Sequence, residues 1–139
     1  MNSMLNPNYI VGFVDGEGCF SITINKNNGR LPEVRLLFAI ELEASDEEIL
    51  NRIAATIGCG RIYKVLYRKH PNWKPHSKLK VSNFKDISEK VIPFFTKYPL
   101  EAKKRFQFEK FCKVADMMKA KRHLSADGIE EILRIRNLA

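Results

Sequence analysis

The chain has 139 residues, 24 Lys and Arg against 16 Asp and Glu, a net charge of +8 and 45% apolar residues, with a pI near 9.5. That length makes a single domain over residues 1–139, and the apolar share excludes wholesale disorder and collagen-like or mucin-like classes. No apolar run nears the roughly 20 residues that span a bilayer, and no basic stretch precedes the short apolar segment ending at Phe13, so the expectation is a soluble intracellular protein, cytoplasmic or in an organellar matrix, with no membrane partner.

In chain order, Asn6 as N-cap and Pro7 at the first helical position open a short helix over residues 7–16, ending in Gly16 and Gly18. Cys19 to Asn25 then alternates, with Phe20, Ile22 and Ile24 on one side and Ser21, Thr23 and Asn25 on the other, as a half-buried strand does. Turn residues Lys26 to Arg30 follow, and Val34, Leu36, Phe38 and Ile40 return against the first strand as a hairpin. Ser45 to Glu48 reads as a capping box before a helix of about three turns that stops at Gly58.

A second hairpin is expected over Arg61 to Lys69 and His76 to Ser82, joined by a loop with Pro71, Trp73 and Pro75. Helices then follow over Phe84 to Ile92, over Leu100 to Lys119 after Pro99, and from Ser125 onward. The order is αββαββα with terminal helices, an α+β fold whose four-stranded antiparallel sheet is covered by helices on one face and open on the other.

The charge is concentrated. Between Arg61 and Lys85 stand eight Lys and Arg and no acid, interleaved with Tyr63, Tyr67, Trp73 and Phe84. Cations neutralise a phosphate backbone while aromatics pack on sugars or bases, so this composition suits a nucleic acid, and equally a solvated basic face. Parity sends Ser21, Thr23, Asn25, Arg35, Lys78 and Lys80 to the open side of the sheet and buries Val34, Leu79 and Val81. Hydrogen-bonding and cationic side chains on a sheet face are what reading base edges requires, although a merely solvated face would carry them too.

Cys19, Cys59 and Cys112 are odd in number and far apart, and His70, His76 and His123 have no ligand spacing with them, so neither disulfides nor zinc is expected and the histidines read as surface or loop residues.

The first helix is unusual. Gly12 and Gly16 share one of its faces at a cost of roughly 1 kcal/mol each in helix propensity. Close approach of another backbone would compensate, and the stripe Leu5, Tyr9, Gly12, Phe13 and Gly16 could pack on its own copy across a twofold axis, with Ile10, Val11 and Val14 anchoring the helix to its sheet. Glu17 falls just past the helix end, where a carboxylate is disfavoured. Two such acids facing across an axis would favour divalent cations; a Gly-rich turn with an exposed Glu is the plainer alternative.

Ile10 to Gly18 resembles the signature helix of the LAGLIDADG homing endonucleases, in the variant ending Asp-Gly-Glu-Gly. The resemblance continues through Phe20-Ser21-Ile22, Phe38 to Leu42, Ile57 to Tyr63, Pro93-Phe94-Phe95, Tyr98-Pro99-Leu100 with Lys104, and His123-Leu124-Ser125 before Gly128-Ile129. It implies a site-specific DNA endonuclease in which signature helices pair at an interface, a saddle of strands lies in the major groove of double-stranded DNA, and an acid after the helix holds catalytic Mg²⁺.

By that resemblance the metal-binding and catalytic acid is Glu17, the Gly16 carbonyl shares the metal, and the basic catalytic residue is Lys104, with Lys103 a weaker match. DNA contacts would come from Ser21, Thr23, Asn25, Arg30, Arg35, Arg61, Tyr63, Lys78 and Lys80, and the dimer interface from Tyr9, Gly12, Phe13 and Gly16. One motif on a chain of this length implies the homodimeric type, spanning about 18–20 base pairs of a roughly palindromic site. The alternative is a non-catalytic nucleic-acid binder on the same fold, an intron RNA maturase or a DNA-binding regulator.

Overall fold

The computed structural model describes residues 4–138. Helix α1 (Pro7–Glu17) begins as expected: the Asn6 side chain accepts from the Asn8 amide at 2.8 Å, and Pro7 sits where a missing N–H costs nothing. It runs through Glu17, one residue beyond the sequence expectation, and strand β1 (Gly18–Asn27) starts with no intervening loop. Strand β2 (Arg30–Glu43) follows a two-residue turn, because Asn28 and Gly29 both take positive φ, +21° and +75°, which matches the twist of a hairpin. Both strands exceed the alternating cores visible in sequence, since the turn needs only these two residues.

Helix α2 (Glu47–Ile57) ends on Gly58, whose left-handed φ of +97° suits glycine. The expected capping box does not form. A 3₁₀ turn (Ala44–Asp46) intervenes, Ser45 donates to Glu43 instead, and Asp46 occupies the N-cap without a side-chain bond. The Ala44 amide is drawn to the Pro75 carbonyl at 2.9 Å, which bends the chain before the helix begins.

Strands β3 (Arg61–Val65) and β4 (His76–Val81) complete an antiparallel sheet in the order β1-β2-β4-β3. β3 stops four residues before the expected Lys69, because Tyr67 turns its hydroxyl to Glu41 and its carbonyl accepts the His70 amide.

Helices α3 (Phe84–Asp86) and α4 (Ile92–Lys97) are joined by a π turn (Ile87–Val91), so the helical path runs past Ile92. A proline inside a helix lacks a donor and crowds the preceding turn; the widened π turn just upstream of Pro93 relieves both. Helix α5 (Lys104–Lys119) starts four residues later than expected. Helix α6 (Ala126–Arg136) is capped by Ser125, whose Oγ accepts the Gly128 amide at 3.1 Å.

One core lies between the sheet and the helices. Phe20 is its hub, with the rings of Phe38, Phe95, Phe108 and Phe111 at 5.1–5.5 Å, each such burial stabilising by about 1.5–3 kcal/mol. Ile10, Val11 and Val14 bury α1 against it, as expected. The buried hydroxyl of Ser77 donates to Glu47 at 2.7 Å and ties β4 to α2.

At Gly128 an added Cβ would meet the Arg122 carbonyl oxygen at 1.6 Å. Gly128→Ala must push the turn before α6 away from the helix, and is expected to cost about 3 kcal/mol, read as a lower urea midpoint with an unchanged slope.

Candidate functional site

The end of α1 meets β1 at a crowded corner. Gly18 donates its amide to the Val14 carbonyl, and a Cβ there would lie 2.6 Å from Val14 Cγ1, so only glycine permits helix and strand to join this closely. Glu17 is thereby held as an exposed carboxylate at a helix C-terminus, where unpaired carbonyls already carry negative charge. Lys104, the first residue of α5, reaches the same corner and donates from Nζ to the Gly18 carbonyl at 2.5 Å. Lys103 lies outside this contact, exposed at the N-cap of α5.

Asp15, to which sequence reading assigned nothing, also acts here. Its Oδ2 accepts the Glu101 amide at 3.0 Å and its Oδ1 the Ala102 amide at 3.2 Å. These partners are backbone groups 86 and 87 residues away, so no side-chain pattern advertises the contact.

The open face of the sheet adjoins this corner. Register pairs Thr23 with Arg35, Ser21 with Leu37, and Lys80 with both Ala39 and Arg61, while Lys78 faces Glu41 and Tyr63. Ser21, Thr23, Asn25, Arg35, Arg61, Tyr63, Lys78 and Lys80 therefore share one face. Arg30 does not join that row: it flanks the hairpin tip opposite Asn27, exposed but with core-side parity. Lys80 Nζ stands 5.4 Å from the centre of the half-exposed Tyr63 ring, and with Arg61 these two line a polar depression of about 330 Å³. Arg35 is paired with Glu33 at 3.0 Å in an exposed bridge that a stronger anion could displace.

Glu41 sits one step beyond Ile40, the partner of Gly18, and so at the same end of the sheet as Glu17. Its Oε2 accepts from the Tyr67 hydroxyl and lies 3.0 Å from His76 Nδ1. The Tyr67 bond is the largest influence holding the Glu41 carboxyl below its ordinary value of 4.5; burial opposes it, and His76 and Lys78 add to it. The same bond pushes the Tyr67 hydroxyl up. His76 is thus an engaged, half-buried residue rather than the surface or loop histidine expected. Trp73 packs edge-on against Tyr67 at 5.2 Å and stacks on His70 at 4.0 Å, which orders the loop between β3 and β4.

The outer face of α1 lies free. Gly12 and Gly16 are exposed, and a Cβ at either would meet nothing within 4 Å. Tyr9 is 51% exposed beside Phe13, with ring centres 6.1 Å apart. Nothing among the described residues accounts for the two glycines.

Among the described residues no group of three or more His, Cys, Asp and Glu is arranged to hold a metal ion. Burial pushes the Cys59 and Cys112 thiols up to about 11, so neither is a nucleophile at neutral pH. No helix of the described residues is long and apolar enough to cross a membrane.

Residues 10–115 match the family model described as LAGLIDADG endonuclease. The chain is 33% identical over 132 residues to probable intron-encoded endonuclease 3 of Neurospora crassa, covering 94% of this chain and 24% of that protein. It is 30% identical over 130 residues to probable intron-encoded endonuclease 2 of the same organism, covering 94% and 26%. The chain thus spans about a quarter of the length of these curated relatives.

Among solved structures it resembles the homing endonuclease I-TnaI, at 32% identity and a TM-score of 0.85, over 96% of this chain and 87% of that one. It also resembles the I-LtrWI LAGLIDADG homing endonuclease bound to target DNA, at 31% identity and a TM-score of 0.87, over 97% of this chain and 44% of that one.

Proposed function

We propose, from the premise that this chain belongs to the LAGLIDADG endonuclease family, that it is a site-specific DNA endonuclease assembled as a homodimer. The observation that carries this reading is the corner where Glu17 and the Lys104–Gly18 contact adjoin an open sheet face bearing Arg35, Arg61, Lys78 and Lys80. The structural match to I-LtrWI, whose chain is more than twice as long and is bound to target DNA, supports a second copy in place of that protein's remaining length.

On the open face, cationic side chains hold phosphates, while the hydroxyls of Ser21 and Thr23, the Asn25 amide and the Arg35 guanidinium read base edges. At about 3.3 Å per residue the ten-residue β1 spans about ten base pairs, and two copies cover about 20. Leu37 on the central strand contributes apolar contact rather than a hydrogen bond, Ala39 is covered by its neighbours, and Glu41 is held away from phosphate by Tyr67 and His76.

The donor set fits a hard divalent cation such as Mg²⁺. Glu17 offers an exposed carboxylate and Gly16 a backbone carbonyl near the helix end, both oxygen ligands, and the remaining ligands would come from phosphate, water and the second copy. When bound, such an ion supplies an activated water and neutralises charge on the scissile phosphate. The chain's own part would be to place Glu17 where it holds that ion and the Lys104 ammonium where it stabilises negative charge developing on the phosphate. Tyr9, Gly12, Phe13 and Gly16 would form the face on which two α1 helices meet.

The test is cleavage of a randomised duplex library, with Mg²⁺ and with Ca²⁺. The expected result is double-strand breaks in Mg²⁺ at one family of near-palindromic sites about 20 base pairs long, and binding to the same sites in Ca²⁺. Salt-dependent DNA binding with no cutting under either condition would overturn the endonuclease reading in favour of a regulator. Binding confined to intron RNA would favour a maturase.

A further inference from the structure

We infer that Asp15 is a positioning residue, whose grip on the backbone of Glu101 and Ala102 sets where the Lys104 ammonium stands beside Glu17. This rests on the proposed role of Lys104 in cleavage. Helix α5 has no side-chain cap of its own at Lys103, and it opens with the Arg105 amide on the Ala102 carbonyl and the Phe106 amide on the Lys103 carbonyl, both at 3.0 Å. The amides just ahead of it, at Glu101 and Ala102, lie at the surface and would otherwise have only water as acceptor. Asp15 accepts both, one on each carboxylate oxygen, from a different helix.

That location is costly. The last turn of a helix disfavours a carboxylate, and Glu17 stands only two residues on. A local cap within the 100–103 segment, such as Ser or Asp at position 103, would satisfy amides at the start of α5 more simply. What a local cap would not do is lock that segment to α1.

Two ties join the same two pieces of chain. Asp15 holds residues 101 and 102, and Lys104 returns to the Gly18 carbonyl at 2.5 Å. Buried Leu100 fixes the segment from the core side. A lysine is a point charge on a flexible stem; with its backbone clamped and its ammonium bonded to the residue after Glu17, its position is defined relative to that acid. Without Asp15 the segment can drift, and a displacement of about 1 Å in a reacting group costs on the order of 100-fold in rate. Lys104 lies outside the open-face row and faces only the scissile phosphate, so a shift in its position is expected to change DNA affinity little.

The experiment is a double-variant cycle on Asp15→Asn and Lys104→Met. Single-turnover cleavage is measured at saturating protein, DNA affinity in Ca²⁺, and thermal midpoint for every variant. Asp15→Asn is expected to slow cleavage about 10- to 100-fold, with affinity within about twofold, and to slow the Lys104→Met protein by less than about twofold more.

Losses that multiply, or an Asp15→Asn protein that cuts normally while Lys104→Met is slow, overturn the inference and leave the endonuclease reading intact. Normal cutting by Lys104→Met overturns the assigned role of Lys104 instead. Asp15→Ala repeats the cycle with no acceptor at the position; should it fail to fold, Asp15→Asn, which keeps one acceptor and the side-chain volume, carries the comparison.

Discussion

Glu17→Gln is expected to lower the rate of DNA cleavage in Mg²⁺ by about 10³-fold or more while leaving DNA binding in Ca²⁺ intact. The carboxamide keeps the shape of the side chain but loses the anionic oxygen that a hard cation needs, and losses of this order accompany removal of a group that stabilises charge in the transition state. Stability should be unchanged or slightly higher, because Glu17 is an exposed carboxylate at the C-terminal end of α1. Single-turnover rates, a binding isotherm and a melting curve on the same preparation separate these effects. Retained cleavage would remove Glu17 from the chemistry.

Gly12→Leu is expected to move assembly and protomer stability in opposite directions. Within one chain a Cβ at exposed Gly12 meets nothing within 4 Å, so leucine adds helix propensity of nearly 1 kcal/mol and should raise the melting point measured under conditions where the wild type is also monomeric. Between two copies the same side chain would wedge apart helices whose backbones approach at that notch, weakening association by about 100-fold or more, or about 2.8 kcal/mol, and cleavage would fall with it. Sedimentation velocity over a concentration series reads the first loss and plasmid nicking the second. A Gly12→Leu protein that still dimerises and cuts would move the interface elsewhere.

What could be read from the chain before folding follows the range of the interactions involved. The β1–β2 hairpin was plain because alternation at Phe20, Ile22 and Ile24 against Val34, Leu36, Phe38 and Ile40 is a local record of a buried face, and Asn28-Gly29 is a local record of positive φ. Gly12, Gly16 and Glu17 stood out because each is locally unfavourable in a helix.

The errors arise where a distant partner overrides a local signal. Ser45 had the pattern of a cap, but the Ala44 amide is drawn to Pro75 and the serine turns to Glu43. Pro93 had the pattern of a helix end, yet a π turn absorbs it. Tyr67 had the pattern of a strand residue, and its bond to Glu41 takes it out of the strand. Asp15 gave no signal, since an acid in a motif is equally legible whether it binds a cation or two amides.

The outward glycine notches have a consequence for dosage. Under the proposed assembly, α1 carries the contact surface and the acid within the same three turns, so a solitary chain holds half of the chemistry and cannot sever a duplex. Cutting then becomes second order in the chain at low copy number, and rises only in proportion to the chain once pairing is saturated. A cell producing a trace of such a chain is spared random breaks, with a threshold set by how well two helices fit rather than by any separate inhibitor.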